Sequence, residues 1–189
     1  MSERKGKQER FTAPKKNYTL IYVLVAVFVV VGALSINFMA GGGEKTVADA
    51  NAYNVGAPVD YQNPVEMTDI TNTVADGKVA INLDEVKKAG IIFTEYNQGG
   101  KQLKLTAWVS PSGNVTAAVS MCEPCRGDRF HIEGKEIVCN VCGTRWTLED
   151  LQGVSGGCLT YPPDKVKYEV KDGKILMDEA QIQAWQPRA

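Results

Sequence analysis

The sequence predicts a mainly β, small α+β protein in which a single N-terminal transmembrane helix precedes an extracytoplasmic, β-rich domain. Three observations carry this expectation. An uncharged apolar run follows a basic tail, the later chain breaks into short alternating segments punctuated by Gly and Pro, and five cysteines crowd into residues 122–158. With 189 residues, the chain has room for one ordinary domain plus extras. Its 21 basic and 22 acidic side chains leave no domain-wide basic surface, which argues against nucleic acid as a partner. A single His excludes sites built from two or three imidazoles. No short period recurs, so collagen-like and coiled-coil classes are out.

Residues 1–17 read as a cytoplasmic basic tail, with Arg4, Lys5, Lys7, Arg10, Lys15 and Lys16 set against Glu3 and Glu9. No charge then appears from Asn17 to Gly43. The apolar stretch Tyr18 to Met39 would span about 33 Å as a helix, enough for a hydrocarbon core of roughly 30 Å. Residues 18–40 are therefore expected to be the transmembrane helix, with Tyr18 and Tyr22 at headgroup level. Basic residues before the span favour a cytoplasmic N-terminus and place the rest outside the cytoplasm. A cleaved signal peptide is the alternative, but its apolar region runs only about 7–15 residues, and Phe38-Met39-Ala40-Gly41 matches a cleavage site poorly.

Residues 41–77 are rich in Gly, Asn, Asp, Thr and Pro and are expected to form a flexible linker. Val65 to Ile70 packing on the domain as an extended arm is the alternative. From Lys78 the pattern changes to that of a folded domain, 78–187. Val79 to Leu83 alternates like a strand, and Asp84 is placed to cap a short helix through Lys88 before Gly90. Ile91 to Tyr96 and Gln102 to Val109 read as strands around a Gly99-Gly100 turn. Pro111 to Asn114 turns the chain into a strand over Val115 to Met121. Phe130 to Val138 reads as a hairpin turning near Gly134. Val166 to Val170 and Ile175 to Met177 form a hairpin across Lys171-Asp172-Gly173-Lys174, and Asp178 caps a last helix to about Trp185.

The cysteines fall as Cys122-Glu-Pro-Cys125, thirteen residues, Cys139-Asn-Val-Cys142-Gly143, then Gly156-Gly157-Cys158. Each C-x2-C can turn as a knuckle that aims two thiolates at one centre while backbone N–H groups donate to the sulfurs. Two knuckles supply tetrahedral sulfur coordination suited to Zn²⁺, mononuclear iron or an iron–sulfur cluster. Cys122, Cys125, Cys139 and Cys142 are the first-choice ligands, with Cys158 the fifth candidate. Gly143 suits the positive φ a knuckle needs after its second cysteine, and Arg126 holds the equivalent place in the first. The Gly-Gly approach to Cys158 suggests backbone packed close to something. Structural zinc, disulfides and a thioredoxin-type redox pair remain alternatives.

At these residues the chain resembles the FtrD-like family of membrane iron–sulfur proteins, over roughly residues 79–182. The likeness rests on Met121 to Cys125, Val138 to Gly143, Gly156-Gly157-Cys158 and Tyr161-Pro162-Pro163. Cys139 to Val170 also looks like the second half of a Rieske domain, with Cys142 where that family has His, so rubredoxin- or Rieske-like hairpins are expected by analogy. The resemblance implies a membrane-tethered protein with Cys-bound iron beside a membrane permease or a membrane-bound electron-transfer partner, carrying electrons or handling iron rather than acting as an enzyme. A zinc-stapled interaction subunit of a transport complex is the competing expectation. His131, the only imidazole, is expected on the hairpin surface. Trp108, Trp146 and Trp185 read as core anchors, and Arg126, Arg129 and Arg145 as solvated charges or partners of an anionic site.

Overall fold

The computed structural model describes residues 53–188, and the expected tail, the expected span at 18–40 and residues 41–52 lie outside them. Among the described residues no helix is long and apolar enough to cross a membrane. Strands β4 (Lys78–Asn82), β13 (Tyr168–Lys171) and β14 (Lys174–Asp178) join β3 (Thr73–Ala75) in a four-stranded sheet ordered β13-β14-β4-β3. A second, central sheet is ordered β12-β7-β6-β5-β2, from β12 (Asp164–Lys165), β7 (Val115–Val119), β6 (Lys101–Val109), β5 (Ile91–Gln98) and β2 (Thr68–Asp69). The third is ordered β1-β8-β9-β10-β11 and is built from β1 (Val65–Glu66), β8 (Phe130–Glu133), β9 (Glu136–Cys139), β10 (Arg145–Thr147) and β11 (Gly153–Ser155). Two short helices, α1 (Leu83–Ala89) and α2 (Glu179–Ala184), complete a mainly β, small α+β fold.

The central sheet is covered on both faces. Leu105, Ala107, Val109, Val115, Ala117 and Val119 point to one core, shared with Val79, Ile81, Val86, Ile175 and Met177 of the four-stranded sheet and α1. Trp108, Ala118 and Ile91 point the other way into a second core with Phe130, Ile132, Ile137, Trp146 and Leu148 of the third sheet. Period-2 alternation therefore sends side chains to two different interiors, and every residue of β7 is buried. The second core also contains Cys122, Cys139 and Cys158. Burying large apolar side chains here, each worth about 1.5–3 kcal/mol, is what makes the cysteine region part of the folded body rather than an appended loop.

The elements follow the sequence with instructive departures. Helix α1 is capped by Asn82, whose side chain accepts from the N–H of Asp84 and Glu85, rather than by Asp84, which sits inside the first turn. It ends as expected at Gly90, φ +79°. The expected linker does not extend to residue 77. From Tyr53 the chain is held on the domain: Val55 N–H donates to Gly113, Tyr61 donates its hydroxyl to the Val109 carbonyl at 2.7 Å, and β1, β2 and β3 then pair in turn with β8, β5 and β4. This arm thus contributes one edge strand to each of the three sheets. It reads as a linker because its strands are two or three residues long and are held by backbone bonds, which leave no apolar periodicity.

Removing the arm uncovers three strand edges, each a row of unpaired N–H and C=O groups. A chain beginning at residue 78 is expected to melt lower and to associate, against one that retains residues 53–77, in thermal denaturation and size-exclusion runs. Equal melting and a clean monomer would show the arm to be dispensable.

Candidate metal centre

The two C-x2-C segments fold as matched knuckles. In the first, Cys122 N–H donates to the Gly127 carbonyl at 2.7 Å; in the second, Cys139 N–H donates to the Thr144 carbonyl at 3.0 Å. Arg126 and Gly143, the residues after the second cysteine of each, both take positive φ, +56° and +68°. Arg126 does so as a non-glycine residue. The knuckles interlock at Gly127, where a Cβ would stand 2.7 Å from Cys139 Sγ and 3.1 Å from Val141.

The third cysteine segment is brought in by a close backbone approach. Gly156 has φ +116°, and a Cβ there would lie 2.6 Å from the Thr144 Cα, so this loop can reach the second knuckle only with glycine. Gly157 has no such neighbour. Trp146, buried in the second core, donates its indole N–H to the Leu159 carbonyl at 2.9 Å and fixes the loop beyond Cys158.

All five sulfurs gather, but not in the quartet the spacing suggested. Cys122, Cys125, Cys142 and Cys158 have their Sγ atoms within 4.8 Å of one another, with Cys122 and Cys142 at 3.8 Å. Cys158 thus takes the place expected of Cys139, which lies outside the quartet although its Sγ is 3.7 Å from that of Cys125. No disulfide joins any of the five. Cys122 and Cys158 are buried, Cys125 is half-buried and Cys142 is exposed.

The thiols differ in acidity for local reasons. Burial, with hydrogen bonds from neighbouring cysteines, pushes the Cys122 thiol well up. Burial likewise raises Cys158, and raises Cys139 to about 11 against the opposing backbone N–H groups of Cys142 and Val141. At Cys142 burial acts in the same direction but is outweighed by the hydroxyl and backbone N–H of Thr144 and by the Cys125 and Cys139 thiols, so its pKa falls to about 6. The Thr144 hydroxyl lies 3.2 Å from Cys142 Sγ and accepts from the Cys158 N–H at 3.2 Å. As a thiol Cys142 donates to this hydroxyl, and once ionised its sulfur can accept the hydroxyl's own proton.

Two positioning residues escaped the sequence reading. Thr144 carried no signal beyond following a glycine. Arg188 lies far from any cysteine in sequence, yet its backbone N–H and its guanidinium both donate to the Glu123 carboxylate inside the first knuckle, the latter at 2.5 Å, and it also donates to the Pro162 carbonyl at 2.6 Å. The Glu123 side chain is only 1 % exposed. His131 stays out of the sulfur group, bonded to Asn140 and Glu133. Arg129 is held bidentate by Asp69 over the Phe93 ring, and Arg145 pairs with Glu133 and Glu136. Trp108 and Trp146 are core anchors as expected, while Trp185 is only partly buried.

An all-sulfur donor set suits thiophilic ions such as iron and zinc and not calcium or magnesium. The residues present therefore fit cysteine-bound iron, and the fold and site define a small, mainly β protein with a cysteine cluster able to hold a metal ion. The family described as membrane iron-sulfur containing protein, FtrD-like, matches residues 86–188, more than half of the chain. The chain belongs to the FtrD-like family. No curated protein matches it.

Two outcomes are expected. Arg188→Ala removes the guanidinium from the Glu123 carboxylate and from the Pro162 carbonyl and should destabilise the domain by about 2–3 kcal/mol, read as a lower denaturation midpoint. In metal-free protein the depressed Cys142 pKa means its thiolate persists above pH 6 and is lost as pH falls through that value. Alkylation followed by mass spectrometry should therefore label Cys142 first at pH 7 and slow below pH 6. Thr144→Val should move that profile upward.

Proposed function

We propose that the protein is a membrane-anchored, extracytoplasmic electron carrier whose cysteine-bound iron works beside a membrane permease or membrane-bound redox partner. The observation that carries this reading is the quartet of convergent thiols in which Cys122 and Cys158 are buried, Cys125 is half-buried and Cys142 is exposed. Iron held by thiolates supplies reversible one-electron exchange. The chain's own residues hold Cys122, Cys125 and Cys142 on backbone-bonded knuckles, which limits ligand movement between oxidation states. Hydrogen-bond donors at Cys142 favour the ionised sulfur, and solvent access at that ligand offers the shortest route for an electron to leave. The basic tail and the apolar run at 18–40 supply the membrane anchor and set the domain outside the cytoplasm.

The full chain, purified in detergent without oxygen, is expected to contain iron and to show a visible absorption that bleaches on reduction and returns on reoxidation. A colourless protein holding zinc, unchanged after reconstitution with iron, would sink the electron-transfer reading, since zinc has no accessible second oxidation state.

A further inference from the structure

Sulfur spacing bears on how many metal ions the site takes. Around a single ion with metal–sulfur bonds of about 2.3 Å, the six sulfur–sulfur edges of a tetrahedron are each about 3.8 Å. In a cluster bridged by inorganic sulfide two thiolates can share an iron. Other pairs sit on different irons and are separated by the iron–iron spacing plus the outward reach of two iron–sulfur bonds, upwards of about 5 Å. Here the Cys122–Cys142 edge is 3.8 Å, and no pair in the quartet of Cys122, Cys125, Cys142 and Cys158 exceeds 4.8 Å.

The surroundings resist widening. Cys122 is tied to Gly127, and the Cys158 N–H is held by Thr144, whose Cα packs directly on Gly156. Moving Cys158 outward to admit bridging sulfide would break the Thr144 bond and pull against the Trp146–Leu159 bond. On the opposite side, Cys139 Sγ lies against Gly127, where there is no room even for a Cβ.

Resting on the iron reading above, we infer that the centre is a single-ion, four-sulfur site held by Cys122, Cys125, Cys142 and Cys158, with Cys139 a fifth thiol outside the coordination sphere. Cys139 serves as a packing element of the interlocked knuckles. Its sulfur receives the Val141 and Cys142 backbone N–H groups and fills the space over Gly127. The family description reads iron-sulfur, and a single ion held by four thiolates departs from a sulfide-bridged cluster; the sulfur spacing of this chain is the ground for the departure.

X-ray absorption on the iron-loaded full chain tests the inference directly. The expected result is four sulfurs at about 2.3 Å, no iron–iron distance, one iron per chain and no acid-labile sulfide. Cys158→Ala should lower iron affinity by more than about tenfold, while Cys139→Ala, with its fold checked by circular dichroism, should retain one iron. An iron–iron distance with labile sulfide would overturn the single-ion assignment and leave electron transfer standing. Zinc with four sulfurs would do the reverse. Iron lost from Cys139→Ala but kept by Cys158→Ala would overturn the ligand set.

Discussion

Thr144 is fully buried, and the second knuckle and the Gly156–Cys158 loop meet on it. Its carbonyl closes the second knuckle by accepting from Cys139, its hydroxyl accepts from the Cys158 backbone and lies beside the Cys142 sulfur, and its Cα is the floor on which Gly156 rests. A hydroxyl can accept from the Cys158 N–H and still donate its one proton to an ionised Cys142 sulfur, which favours the thiolate. Position and charge are thus set by one side chain. Valine would occupy the same space and supply neither bond.

The second constraint is the central sheet. Its two faces serve different interiors, so the body formed with the four-stranded sheet is continuous with the body that carries the cysteines. Trp108 illustrates this: its ring fills the second core while its indole N–H reaches the Leu148 carbonyl, which fixes the start of the loop between β10 and β11. Such a site is built mostly from the ends of regular strands and tight turns rather than from long free loops, which is the condition for holding ligands in one geometry.

Much of this was legible in the sequence, for definable reasons. The hairpin of β8 and β9 and the strands β5, β6 and β7 announce themselves by alternation and by Gly- and Pro-containing turns. The knuckles announce themselves by cysteine spacing, and membership of the family follows from the same residues. What was not legible depends on distance. Arg188 and Glu123 are 65 residues apart and pair only because the last segment returns to the first knuckle. The exchange of Cys139 for Cys158 in the quartet arises from the Gly156–Thr144 approach, a tertiary contact that spacing cannot encode. The arm reads first as linker because edge strands of two or three residues carry no periodicity to detect, and the alternative of Val65 to Ile70 as an extended arm on the domain is what forms.

The Arg188–Glu123 pair has a bearing on biogenesis. A chain made from its N-terminus releases the first knuckle early, the Gly156–Cys158 loop later and Arg188 later still. Until then the Arg188 bonds to the Glu123 carboxylate are not made. The clamp of Arg188 on Glu123 can therefore form only after the chain that carries all five cysteines has been made.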